Sequence, residues 1–271
     1  MSGLINAVAL IALSLWISEA FAQSPKVPSG KLIDENYRKQ FDVCDSSDTF
    51  NGVHFPIFGP KGNIKWYPCK SDPSRFSRFE TIAATGAASR ATLIASKLGH
   101  DEDGSPKACG GAHGPTDQCG TSLMLNPTSQ TPCVIQTKNG KQCVPVNAEA
   151  IPYVVIPGAA PPGIDSHKFK ALSGVSVGDY GVVIANDKVV PVIVADEGPA
   201  YKIGEGSTAL LNKLSADGHP HTISSKVTFI LFPNTHDPQP SLSPDTLKEV
   251  VRKKGCDLYS KLTGSAEPCV N

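Results

Sequence analysis

The sequence has no excess charge of either sign and no long hydrophobic run beyond its N-terminal residues. Among its 271 residues, Lys plus Arg and Asp plus Glu each number 25, so the formal net charge is +0 at pH 7. A nucleic-acid-binding protein usually carries a basic stripe, and the balanced charge argues against a nucleic-acid partner. Because no later apolar stretch is long enough to span a bilayer, we expect no membrane association after removal of the N-terminal segment.

Motifs of several common enzyme classes are also absent. There is no G-x-S-x-G nucleophile elbow, which argues against a serine hydrolase. There is no phosphate-binding or dinucleotide-binding glycine loop. There is no C-x-x-C pair, and cysteine and histidine do not cluster at zinc spacing. The sequence therefore predicts a protein that needs no metal and no other cofactor.

The first 22 residues have the pattern of a signal peptide. Leu4 to Ile17 is nearly all apolar, and Ala20-Phe21-Ala22 is an A-x-A cleavage pattern, although no Lys or Arg precedes the apolar run. We expect secretion to the medium, or to the periplasm of a Gram-negative bacterium. Residues 23–271 are expected to form a single catalytic domain, with a core at about 75–235 and a C-terminal helix and tail at 240–271.

All the cysteines lie after the predicted cleavage site. Their number is 8, and an even number in an exported chain predicts four disulfides. Eight cysteines allow 105 pairings, and proximity along the chain favours Cys44–Cys69, Cys109–Cys119, Cys133–Cys143 and Cys256–Cys269. Two of these bridges would brace loops that are rich in glycine and proline.

Hydrophobic patterning predicts a mainly β fold with a few short helices. Strands are predicted at Tyr153–Ile156 and Val227–Phe232, and a hairpin joins Tyr180–Ala185 to Val189–Ala195 through a turn at Asn186. Both arms of the hairpin are apolar enough to be buried on both faces, as inside a barrel. Helices are predicted at Thr208–Leu214 and from Ser243-Pro244 to Gly255.

Two carboxylates lie close together in the sequence after the hairpin. Asp196 ends its second strand, and Glu205 stands between two glycines just before a helix. Glycosidases use one protonated acid and one ionised carboxylate, about 6.5–9.5 Å apart in inverting enzymes and about 5–5.5 Å apart in retaining ones. The alternative is that both acids are merely exposed loop charges, as most loop carboxylates are.

The order of motifs in this region resembles that of the fungal-type chitosanases, glycoside hydrolase family 75. The resemblance covers roughly residues 75–235, and the features that carry it are Tyr153–Pro157, Gly178-Asp179, the hairpin, Asp196, Gly204-Glu205-Gly206-Ser207, Asp101-Glu-Asp103-Gly104, and Pro115-Thr-Asp-Gln118 through Thr121-Ser122. The fungal enzymes carry Asp-Thr-Asn-Gly after the hairpin, whereas this chain has the shorter Asp196-Glu-Gly-Pro199. That departure leaves room for Glu197 to share the work, although alternation along a strand favours its pointing away from Asp196.

The resemblance implies an endo-acting chitosanase that inverts the anomeric carbon, with Asp196 and Glu205 as its catalytic pair. We assign Glu205 as the general acid, because a bound glycan would exclude water around it, and Asp196 as the general base; the roles could be exchanged. Because chitosan is a polycation when its amines are protonated, Asp101, Asp103 and Asp117 are predicted to bind it. Tyr201 is predicted to stack on a sugar ring, and Asp101 with Asp103 has a weak calcium loop as its alternative.

The D-x-G-P tip is also similar to one in double-psi β-barrels, including wall-associated lipoproteins and lytic transglycosylases. We therefore expect a six-stranded, double-psi β-barrel-like core with long disulfide-braced loops. The same similarity leaves two other functions open: a peptidoglycan-cleaving enzyme and a non-catalytic, expansin-like polysaccharide-binding barrel. A secreted inhibitor is a further alternative that no motif supports. In each case we expect a monomer.

Overall fold

The architecture comes from a computed structural model of the chain. The structure describes residues 24–33, 49–50, 53–58, 64–67, 78–85, 88–108, 119–125, 144–159, 167–199, 203–237, 243–264 and 269. The predicted signal peptide, Asp117 and Tyr201 lie outside these residues.

Thirteen strands and three helices make up the described chain. The strands are β1 (Lys31–Leu32), β2 (Thr49–Phe50), β3 (Val53–Phe58), β4 (Ile64–Tyr67), β5 (Arg78–Ile82), β6 (Ala91–Asp101), β7 (Met124–Leu125), β8 (Val144–Pro145), β9 (Tyr153–Ala159), β10 (Tyr180–Ala185), β11 (Lys188–Pro199), β12 (Glu205–Ser207) and β13 (Ile223–Phe232). The helices are α1 (Lys168–Ser173), α2 (Thr208–Leu214) and α3 (Pro244–Thr263).

Six of the strands close into a barrel. The main sheet runs in the order β1-β5-β6-β12-β9-β11-β10-β13, and β13 also pairs with β6, which closes the ring. Within the ring, β12 is parallel to β6 and β9 is parallel to β11, while the other neighbours are antiparallel. This arrangement confirms the predicted mainly β fold with a six-stranded, double-psi-like barrel.

Alternate residues of the five longer barrel strands enter different hydrophobic clusters. Val154 and Val192 belong to one cluster, whereas Tyr153 and Ile193 belong to another that also contains Leu247 of α3. Because successive side chains point to opposite faces of a sheet, the cluster with α3 lies on the outer face and the other one fills the barrel.

Local signals in the sequence placed the hairpin and α2 correctly. Tyr180 pairs with Ile193, and the turn residues Asn186 and Asp187 have φ values of 49° and 57°, as a type I′ turn requires. The helix α2 begins where Ser207 accepts a hydrogen bond from the N–H of Leu210 through its side chain.

The predicted end of the C-terminal helix at Gly255 is wrong. The helix continues to Thr263 and ends at Gly264, whose φ is 67°. Gly255 is instead a packing residue, since a Cβ there would lie 2.7 Å from the carbonyl oxygen of Gly181 and 2.7 Å from Cβ of Pro191. The prediction interpreted Gly255 as the residue that ends the helix, whereas this glycine lets the helix pack closely against the barrel.

The disulfide Cys256–Cys269 is present as predicted. Cys119 is also disulfide-bonded, and its partner lies outside the described residues. The three other predicted pairings involve cysteines beyond the described part of the chain and stay predictions. No helix in the described ranges is long and apolar enough to cross a lipid bilayer.

Candidate active site

A bulge in β11 sets the direction of Asp196. Val194 pairs with Val154 on β9, but the next pair joins Asp196 to Val155, so Ala195 is an extra residue in β11. Val155 belongs to the outer cluster, and its partner Asp196 therefore lies on the outer face too. Its side chain is buried, with 6% exposure of the residue.

Glu205 lies in the same row as Asp196. It pairs with Val155 on one side and with Gly99 of β6 on the other. Asp196 and Glu205 thus flank Val155 on one face, two strand spacings apart, which corresponds to about 9–10 Å between their Cα atoms. The missing side chain of Gly99 leaves space beside Glu205, whose Oε1 lies 4.0 Å from where a Cβ of Gly99 would be.

The chain turns sharply just before Glu205. Gly204 has a φ of 83°, and a Cβ there would lie 2.3 Å from the carbonyl oxygen of Lys97. Only glycine fits this conformation and this close approach. The glycine that the sequence places before Glu205 is therefore needed to bring that acid against β6.

Asp101 and Asp103 join Asp196 at the end of β6. One carboxylate oxygen from each of these three residues lies within 4.8 Å of the other two. Asp101 pairs with Ser207 two residues beyond Glu205, which places it on the same outer face. We call Asp101, Asp103, Asp196 and Glu205 the carboxylate cluster.

The cluster changes the ionisation of Asp101. Burial raises the pKa of Asp101 to about 6, the negative charges of Glu205 and Asp196 add to the rise, and a hydrogen bond from Tyr153 opposes it. The Tyr153 hydroxyl lies 2.9 Å from Oδ2 of Asp101 and 2.8 Å from the carbonyl oxygen of Asp103. Asp101 therefore holds a proton under mildly acidic conditions, next to both predicted catalytic acids.

Sequence reasoning missed two residues that contact the cluster. One is Tyr153, whose buried hydroxyl donates to Asp101; a tyrosine in an otherwise aliphatic strand signals that a polar partner is near. The other is Ser122, whose N–H and hydroxyl donate to Oδ1 of Asp196 at 2.7 and 2.6 Å. Ser122 belongs to the Thr121-Ser122 feature of the family resemblance, but the local sequence does not indicate this contact across the fold.

Of the other predicted substrate residues, the structure describes only Glu197. Glu197 pairs with Ile156, a residue of the barrel interior, so it lies on the face opposite to Asp196 and is exposed. This agrees with the alternation expected along a strand, and its contact with substrate stays a prediction. Asp117 and Tyr201 lie outside the described residues, and their roles stay predictions as well.

The chemistry available at this surface follows from its residue types. Clustered carboxylates attract cations, whether the ammonium groups of an amino sugar or a hard divalent metal ion. A pair of acids on one face, with room between them, suits general acid–base catalysis at a glycosidic bond. The prediction that no metal is needed stays open to test, because three carboxylate oxygens this close could also hold an ion.

Comparison with known proteins gives one family. The model of the family described as fungal chitosanase of glycosyl hydrolase group 75 matches residues 107–257. The match covers more than half of the 271 residues and includes Asp196 and Glu205. The matched region begins after Asp101 and Asp103 and ends within α3. It therefore starts and ends later in the chain than the region of motif resemblance, which covers roughly residues 75–235. No curated protein matches the chain.

Proposed function

The chain belongs to the fungal chitosanases of glycosyl hydrolase group 75, and on that premise we propose that Asp196 and Glu205 hydrolyse the β-1,4 linkages of chitosan with inversion. Family membership makes the protein a chitosan-hydrolysing glycoside hydrolase. The positions of the two acids, the stereochemistry and the endo mode of cleavage are our proposals.

One observation carries the assignment of the pair. Asp196 and Glu205 both pair with Val155, from opposite sides, so they share a row and a face of the sheet. Their Cα atoms are about 9–10 Å apart, so the two side chains can reach one glycosidic bond from the same face of the sheet, and inversion is proposed from the family resemblance.

Glu205 acts as the general acid in the proposed reaction. Its proton passes to the glycosidic oxygen as the bond from that oxygen to the anomeric carbon breaks. Asp196 takes a proton from a water molecule, whose oxygen attacks the anomeric carbon from the opposite side. One water molecule is consumed, and the sugar leaves with inverted configuration and a new reducing end.

Asp101 and Asp103 bind the substrate through charge. Their carboxylates lie beside Asp196, where the ammonium group of a glucosamine unit would reduce the repulsion among the acids. Asp117, Glu197 and Tyr201 complete the proposed substrate contacts. We propose a secreted, monomeric, single-domain enzyme from which residues 1–22 are removed.

A product assay tests the proposed function. Fully deacetylated chitosan and purified peptidoglycan are incubated in parallel with the protein, and reducing ends and product lengths are measured by mass spectrometry. We expect reducing ends from chitosan alone, with oligomers of mixed length and unchanged rates in EDTA. Proton NMR at early times should show the α anomer first. Reducing ends from peptidoglycan only, or initial β anomer, would refute this proposal.

A further inference from the structure

A short segment outside the barrel runs along the bulged part of β11. The N–H of Leu123 donates to the carbonyl oxygen of Ala195 at 2.8 Å, and Ser122 contacts the two residues that follow Ala195. The bulge interrupts the ladder between β11 and β9 at this place. The segment thus supplies hydrogen bonds where the neighbouring strand does not.

The hydrogen bonds around Ser122 fix the direction of its hydroxyl proton. The hydroxyl oxygen accepts from the N–H of Glu197 at 3.1 Å and lies 2.6 Å from Oδ1 of Asp196. Because a carboxylate can only accept, the hydroxyl proton points to Asp196. The backbone N–H of Ser122 donates to the same oxygen at 2.7 Å.

Two donors on one carboxylate oxygen fix the rotation of the Asp196 side chain, because any other rotation would break both hydrogen bonds. Both bonds go to Oδ1, so Oδ2 is the oxygen that Ser122 leaves available to a water molecule.

The segment is itself held in place. The Thr121 hydroxyl donates to the carbonyl oxygen of Leu123 at 2.7 Å and accepts from the N–H of Val146 at 2.9 Å. Thr121 is buried, whereas Ser122 is exposed apart from its contact with Asp196. Because Ser122 is exposed, loss of its hydroxyl should disturb the packing of the hydrophobic core little.

We infer that Ser122 is a positioning residue for the general base of this enzyme. It orients Asp196 so that Oδ2 faces the attacking water. The inference rests on the proposed function of Asp196. It adds to the proposed catalytic pair a third residue, Ser122, which acts through Asp196.

Steady-state kinetics of Ser122→Ala, measured from pH 4 to 8 on chitosan, test this role. We expect kcat to fall about 10-fold, as for loss of one hydrogen bond to a charged group. KM should stay within about twofold, because Ser122 acts on the orientation of the general base and not on substrate binding. Ser122→Thr keeps the hydroxyl at an exposed position and should restore most of the rate.

Ser173→Ala is the matched control. Ser173 is a buried serine of α1 whose hydroxyl donates to the carbonyl oxygen of Phe169 and accepts from the N–H of Val175. This variant should lose thermal stability and keep the kcat profile of the wild type. An unchanged kcat in Ser122→Ala would overturn the inference, even if its stability falls. A wild type that releases no reducing ends would refute the proposed function instead.

Discussion

Two fully buried tyrosines flank Ile193 in one row of the barrel, and their partners differ. Tyr153 and Tyr180 both pair with Ile193, and each hydroxyl donates to an aspartate. The Tyr153 hydroxyl reaches Asp101 at 2.9 Å, and the Tyr180 hydroxyl reaches Asp237 at 2.7 Å. In both places a tyrosine hydroxyl therefore donates a hydrogen bond to an aspartate, but the surroundings of the two aspartates differ.

The surroundings decide how each aspartate ionises. Burial tends to raise the pKa of Asp237, but hydrogen bonds from Lys254 and Tyr180 outweigh it and hold the pKa below its usual value. Asp101 stands among other carboxylates instead, and its pKa rises to about 6. A paired acid stabilises the fold, whereas an acid among acids is destabilised until a cation or a proton arrives, which is typical of functional sites.

The largest expected effect is on kcat, and it distinguishes the carboxylate cluster from the ion pair of Asp237 and Lys254. Asp196→Asn and Glu205→Gln should each lower kcat on chitosan by about 100-fold or more, because general acid or base catalysis is lost. Thermal unfolding should change little, since both substitutions nearly preserve shape.

Asp237→Asn is the control for those two variants. It removes the partner of Lys254 on the other side of Ile193, and it should reduce the free energy of unfolding while leaving kcat as in the wild type. Full activity in either Asp196→Asn or Glu205→Gln would remove that acid from the mechanism.

A matched pair of tyrosine variants sharpens the comparison. Tyr153→Phe and Tyr180→Phe each delete one hydroxyl that donates to an aspartate, and each should lower the free energy of unfolding by about 1–3 kcal/mol. Only Tyr153→Phe should also lower kcat/KM on chitosan, because only Asp101 lies in the carboxylate cluster. Urea unfolding and initial rates measure the two quantities, and equal loss of activity in both variants would contradict the distinction.

The smallest effect concerns stability and pH. The pKa of Asp101 is raised from 3.8 to about 6 on folding, so the native state binds more protons between these values and the free energy of unfolding falls as pH rises through this window. Asp101→Asn removes this decline. We expect it to be more stable than the wild type at pH 7, by on the order of 1 kcal/mol after solvent screening. Urea titrations at pH 4 and 7 measure the difference, and an equal decline in both proteins would show that other groups cause it.

Local patterns in the sequence predicted much of the barrel. The turn at Asn186-Asp187, the helix at Thr208–Leu214 and the apolar strands depend on residues close in the chain, and the structure places them as expected. The end of α3 was predicted wrongly because a glycine can either end a helix or allow close packing. The contact of Gly255 with Gly181 joins distant parts of the chain and has no signal in the neighbouring sequence.

The sequence by itself determined four of the six barrel strands, where the hairpin turns and which acids follow it, because periodicity and turn chemistry act over a few residues. Only the tertiary structure decided that a bulge at Ala195 turns Asp196 to the outer face and that Val155 lies between Asp196 and Glu205. It also brought Ser122 and Tyr153 to the carboxylates. These contacts depend on strand register between distant segments, where a shift of one residue would send each side chain to the other face.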